Sequence, residues 1–164
     1  MKWNFHLKQN KTKKEKGIIM KIATIIVRSL LGLLFVFAGS NMFFNFAPLP
    51  PFPEGPAHDF MAAIVTSHFS YVVGAFQFVG GVLLLTGRFS PLGLTLSGPV
   101  IVNILCFHAF MAPAGLPVAF VVSFLALFLL WRYRENFAGL VKSAPVISDF
   151  PRQGIATGNA TAHS

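Results

Sequence analysis

Charge is what this sequence most lacks. Only 11% of its 164 residues are Asp, Glu, Lys or Arg, against roughly 25% in an ordinary soluble domain. So few charges cannot clothe a water-facing surface, which excludes a soluble globular fold. Cysteine is nearly absent too. Cys106 stands alone, so no intrachain disulfide forms, and a disulfide relay, which passes through two thiols, is closed. Cys106 reads instead as a small apolar packing residue. The apolar stretches contain no HxxxH, no CxxC and no carboxylate cluster, so no metal site is expected. Haem is disfavoured as well: a six-coordinate iron needs two axial ligands, and His108 is the only histidine inside an apolar segment, with His68 at the edge of another. No Ser-His-Asp set and no carboxylate pair suited to hydrolysis is present, so catalysis by this chain alone finds no constellation.

What the sequence has in abundance is apolar surface. Hydrophobic residues make up 54% of the chain, 19 of its residues are Phe, and the mean hydropathy is +0.67. Four runs account for this: Ile22 to Phe46, Phe69 to Thr86, Pro91 to Phe110 and Leu116 to Tyr133. Each approaches the roughly 20 residues that carry a helix across a ~30 Å hydrocarbon core. Lipid offers nothing to satisfy unpaired backbone groups, and four segments cannot close a barrel, so each run must be a helix. The expected fold is all-α: an integral membrane four-helix bundle in one compact domain.

The net charge of +8 comes with a pattern. Lys2, Lys8, Lys11, Lys13, Lys14 and Lys16 crowd the N-terminal segment, opposed only by Glu15. No folded basic face with interleaved aromatics accompanies them, so nucleic acid is not the expected partner. An arm of this kind beside an apolar span reads anionic lipid, at about 1 kcal/mol per Lys. Arg88 falls between the second and third runs, and Arg132, Arg134, Lys142 and Arg152 follow the fourth. The connectors APLPPFPEGP and MAPAGLP hold no Lys or Arg. Every basic residue thus lies on one side of a four-span arrangement, which the positive-inside rule makes cytoplasmic. The expectation is a multi-pass protein of the bacterial cytoplasmic (inner) membrane with both termini cytoplasmic. Its parts are a basic tail (1–21), a transmembrane domain (22–137) and a flexible cytoplasmic tail (138–164). Met20 opens MKIATIIVRSLLG and offers an alternative start. Val36-Phe37-Ala38 resembles a signal-peptide cleavage site, but the apolar run continues through Phe46, which argues against cleavage.

Local signals mark the ends. Ser90 is placed to cap the third span, with Pro91 in its first turn. The Ala-Pro linkers end spans one and three, since a residue before proline is pushed out of the helical region. His58 to His68, too short and polar to span, is expected at the outer interface. Arg28 is expected to extend toward the inner headgroups.

Polar side chains inside the spans are the candidates for function. They are Asn41 and Asn45 in span one, Gln77 in span two, and Asn103 and His108 in span three. An unpaired polar group in hydrocarbon costs several kcal/mol, so these should face the bundle interior or water. Asn41 and Asn45 share a helix face, as do Gly74, Gln77 and Gly81, where the glycines admit a neighbouring backbone around the amide. Asn103 and His108 are about 140° apart at 3.6 residues per turn, which assigns them to different contacts. Pro99 removes a hydrogen bond from the same span and can bend it. Against these candidate roles stands the ordinary one, in which Asn and Gln join helices by hydrogen bonds worth roughly 0.6–2 kcal/mol.

The runs VRSLLGLLFVFAGSNMFF, FQFVGGVLLLTGRFSPLGL and PVIVNILCFHAFMAPAGLP resemble, in order and spacing, the DoxX family of small membrane proteins. The likeness covers roughly Ile22 to Phe137. It implies a four-helix bundle with both termini inside and an association with quinone-linked sulfur oxidation, as small subunits of thiosulfate–quinone oxidoreductase, or with other membrane redox complexes. The family often has Glu where this chain has Gln77, and an amide does not titrate. The expected role is therefore a small subunit of a quinone-linked or oxidative-stress redox complex. It would bind a quinone- or lipid-like molecule through Asn41, Asn45, Gln77, Asn103 and His108, in contact with redox partner proteins. The alternative is a scaffold or assembly factor without small-molecule chemistry. The oligomeric state is not legible in the sequence.

Overall fold

A computed structural model describes residues 2–48 and 52–141. All the regular structure among these residues is helical. α1 runs from Lys2–Phe44, α2 from Pro56–Thr66, α3 from Phe69–Thr86 and α4 from Ser90–Phe110; a 3₁₀ turn at Pro113–Gly115 leads into α5, Leu116–Arg132, and α6, Arg134–Val141. Four of these helices are long and apolar enough to cross a membrane. The C-terminal tail from 142 onward lies outside the described residues.

Proline and glycine set the boundaries. Pro56 opens α2, and prolines occupy the first turns of α4 and α5, where the missing N–H would have no helical partner. α3 ends on Gly87 at φ +76°, the left-handed conformation in which a side chain is strained. α1 ends similarly on Asn45 at φ +47°, and asparagine is the residue that tolerates this best after glycine. Asn45 therefore lies past the end of α1 and not on a helix face beside Asn41. At its other end α1 begins at Lys2, so the basic N-terminal segment continues the first span as helix. The expected cap at Ser90 is also corrected. Ser90 is already helical, and its fully buried hydroxyl donates to the Gly87 carbonyl at 3.0 Å, tying the helix to the turn before it. α4 passes through Pro99 without a break.

α1 packs most extensively on α3, α3 on α4, α4 on α5, and α5 returns to α1, giving a closed ring of four. Lipid tails are as apolar as leucine, so helices in a bilayer associate through close packing and not through hydrophobic contrast. Glycine supplies that closeness. A Cβ on Gly39 would stand 2.5 Å from the Phe78 backbone nitrogen and 2.7 Å from the Gly74 carbonyl oxygen. A Cβ on Gly81 would stand 2.7 Å from the Gly32 carbonyl oxygen. The pairs Gly32–Gly81 and Gly39–Gly74 thus form one antiparallel seam with a seven-residue repeat on each side. Gly80 and Gly93 bring α3 and α4 together in the same way. Between the seams lies a core of Leu31, Phe35, Leu84, Leu94, Ile101, Val122, Ala126 and Leu129.

The outer surface inverts the usual pattern. Phe124, Leu127, Phe120 and Val118 on α5 are each 60% exposed or more. A contiguous apolar face of this kind in a monomer marks contact with a membrane or a partner, here the bilayer. The short antiparallel connections gather Arg28, Arg88, Arg132 and Arg134 at one end of the bundle. The Arg28 guanidinium lies against Gly87, in the turn at that same end, and its Nε is buried without a hydrogen-bond partner among the described residues. Within the bundle no ion pair forms among the described residues; the one contact of that kind, His58 with Asp59 at 3.3 Å, is exposed on α2.

Candidate functional site

The opposite end of the bundle is roofed by α2. Beneath it lies a cavity of about 110 Å³ whose wall includes Met42 of α1, Phe60 of α2, Gln77 of α3, and Asn103, Phe107 and His108 of α4. At about 30 Å³ per molecule, that volume suits roughly three waters or the polar edge of a small ring. Three of the five candidate residues therefore meet in one place. Asn103 and His108, expected at separate contacts, line the same cavity. The 140° between them places them on either side of Phe107, whose ring meets Phe52 at 5.7 Å and Phe60 at 5.6 Å. The polar space thus curves around α4 beneath an aromatic lid, a result of tertiary packing that helical spacing alone does not carry.

Each polar group retains unused hydrogen-bonding capacity. Gln77 is only 5% exposed, held where the glycine seams bring α1 and α4 close to α3, and its Oε1 is buried with no partner. Asn103 is exposed at the cavity mouth and makes no hydrogen bond. This corrects the expectation that it turns inward. His108 is held most firmly. Its Nδ1 lies 3.0 Å from the Ala112 carbonyl oxygen. A carbonyl only accepts, so we assign the proton of the neutral ring to Nδ1, leaving Nε2 as an acceptor. The ring also packs on Gly115 so closely that a Cβ there would overlap Cε1 and Nδ1. Gly115 is thus the residue that lets the 3₁₀ turn fold over the imidazole. The site offers three acceptors, Gln77 Oε1, Asn103 Oδ1 and His108 Nε2, together with two amide NH₂ groups as donors. Such a set can hold a carbonyl or a hydroxyl equally well.

The remaining two candidates lie elsewhere. Asn41 and Asn45 line a neighbouring open recess of about 670 Å³ between the end of α1, α2 and the start of α3, sharing Met42 and Met61 with the smaller cavity. Asn41 is already committed: its Nδ2 donates to the Ala47 carbonyl at 2.9 Å, and its Oδ1 accepts from the Ala47 N–H at 2.7 Å. It braces the chain as it leaves α1. Asn41→Ala is expected to cost about 1–3 kcal/mol through loss of both bonds. Thermal unfolding in detergent measures that cost, and whatever small molecule the α2-roofed cavity retains should stay at its wild-type level. Sequence reasoning missed the aromatic furniture here: Phe43 stacks on Tyr71 at 5.6 Å and 7°, with His68 beside Tyr71 at 5.7 Å. The apolar side of HDFMAAIVTSH was the available signal, since a short amphipathic segment must cover something. Among the described residues no group of three His, Cys, Asp or Glu could hold a metal.

The fold and this polar pocket define a small multi-pass helical membrane protein with a hydrogen-bonding cavity near one face. The DoxX family model matches residues 23–109, more than half of the chain, and the chain belongs to the DoxX family. Neither the curated proteins nor the solved structures include a match to it.

Proposed function

We propose that this chain is a small subunit of a membrane redox assembly in the bacterial cytoplasmic membrane, where it holds the polar head of a quinone- or lipid-like molecule. The observation that carries this reading is the buried, unpartnered Gln77 Oε1 in a cavity that Asn103 and His108 also line. Buried polar groups are nearly always satisfied, so an orphaned one calls for a missing partner. An oxidised ring would accept from the amide NH₂ groups; its reduced form would donate to Gln77 Oε1 and His108 Nε2. The apolar tail would lie among the exposed Phe and Leu side chains and the bilayer. Electrons would come from a partner protein.

The test is purification of the full chain in mild detergent with quantification of co-purifying quinones and lipids. His108→Ala and Asn103→Ala should each lower retention about tenfold, the equivalent of one hydrogen bond near 1.4 kcal/mol. If both variants lower only the amount of protein recovered, the residues serve packing and the chain is a scaffold.

We also propose that the arginine-bearing end faces the cytoplasm, because all the basic connectors fall on that side. Reporter fusions at Arg88 should read cytoplasmic and those at Gly115 external. The reverse would overturn the orientation and place the cavity at the inner face.

A further inference from the structure

A different cavity lies on the outside of the ring. Between α4, α5 and α6 runs a groove of about 470 Å³ bounded by Leu94, Leu105, Leu130 and Phe137, with Gly98 and Ser123 among its small lining residues. Gly98 is open to it: no atom lies within 4 Å of the place a Cβ would occupy. From Leu94 to Leu105 the α4 wall rises about 16 Å, close to the roughly 15 Å of hydrocarbon in one leaflet. Ser123 Oγ is buried there without a hydrogen-bond partner, while the nearby Thr95 hydroxyl is turned back to the Pro91 carbonyl at 3.0 Å. The lining is otherwise apolar.

The groove ends in positive charge. Phe137 lies one helical turn beyond Arg134 on the same helix. Arg134 is exposed and is not paired with a carboxylate among the described residues. Arg134 stands over the Trp131 ring at 5.4 Å, a position suited to the boundary between hydrocarbon and headgroups.

We propose that this groove holds one acyl chain of an anionic phospholipid from the surrounding bilayer, with the lipid phosphate met by Arg134. Charge favours lipid over a second copy of the chain. Two copies in one membrane share an orientation, so a partner seated in the groove would bring its own arginines to the same level, where like charges repel. A phosphate at that level neutralises them. The inference is independent of the cavity under α2.

The experiment uses the full chain, delipidated in mild detergent and titrated with dioleoyl phosphatidylglycerol or dioleoyl phosphatidylcholine under native mass spectrometry. The wild type should retain phosphatidylglycerol in preference, by about fivefold. Gly98→Leu fills the groove and should lower the adduct about tenfold with no loss of thermal stability. Thr95→Trp, at an exposed wall position, should do the same and serves as the second block if Gly98→Leu fails to fold. Arg134→Gln should abolish the preference between headgroups. Undiminished adduct in the folded blocking variants, equal retention of the two lipids by the wild type, or a lipid-free dimer that Gly98→Leu splits would each overturn the proposal.

Discussion

Replacing Gly39 with valine is expected to prevent the ring from closing, at a cost of about 3 kcal/mol or more. The added Cβ alone would meet the Phe78 backbone nitrogen at 2.5 Å and the Phe78 Cα at 2.9 Å. These are backbone atoms of a helix and cannot rotate aside as a side-chain end would. α1 and α3 would have to separate along the Gly32–Gly81 and Gly39–Gly74 seam, losing dispersion contacts over their whole interface. Thermal unfolding in detergent and the yield of monodisperse protein both report this. Gly98→Ala is the control, since Gly98 is equally helical but has open space before it. It should be neutral or gain up to about 1 kcal/mol from helix propensity. Equal behaviour of the two variants would remove the seam from the account of stability.

The second large effect concerns Gln77, where stability and binding should move in opposite directions. No group of the described chain meets the buried Oε1, and a buried acceptor left unmet carries a desolvation penalty of about 1–3 kcal/mol. Gln77→Leu keeps approximately the same bulk and removes that penalty, so the delipidated variant should unfold later by about 1 kcal/mol or more. The same change deletes one acceptor and two donors from the α2-roofed cavity. Retention of the co-purifying quinone or lipid should fall about tenfold or further. Measuring both quantities on one preparation separates the readings. A variant that is less stable yet retains its small molecule would show the amide to be a link between helices.

Much of the fold was legible because lipid imposes so few solutions. Three of the four spans begin and end within a residue of the expected positions, since Pro91, the Ala-Pro linkers and Gly87 punctuate the chain by backbone geometry alone. The face shared by Gly74, Gln77 and Gly81 also followed from spacing, and it is the face on which α1 settles. The site was less legible. Asn41 and Asn45 look like intramembrane amides by position, but a helix ends between them, so one braces a turn and the other supplies its left-handed residue. Asn103 and His108 were separable by angle and yet share a cavity, because α2 folds across the end of the bundle and encloses space on two sides of α4. Nothing in helical periodicity encodes the path of a connecting segment. The N-terminal continuation of α1 was hidden for another reason: a lysine-rich stretch has no apolar period, although lysine is a good helix former.

The lack of internal ion pairs within the described bundle has a practical outcome. Raising the salt from 0.1 M to 1 M shrinks the Debye length from about 10 Å to about 3 Å, and nothing that joins one long helix to another responds to that change. Whatever clings to the arginine-bearing end does respond. A graded salt wash therefore becomes a sorting procedure, in which molecules held by Coulomb attraction leave first and those wedged by shape stay behind.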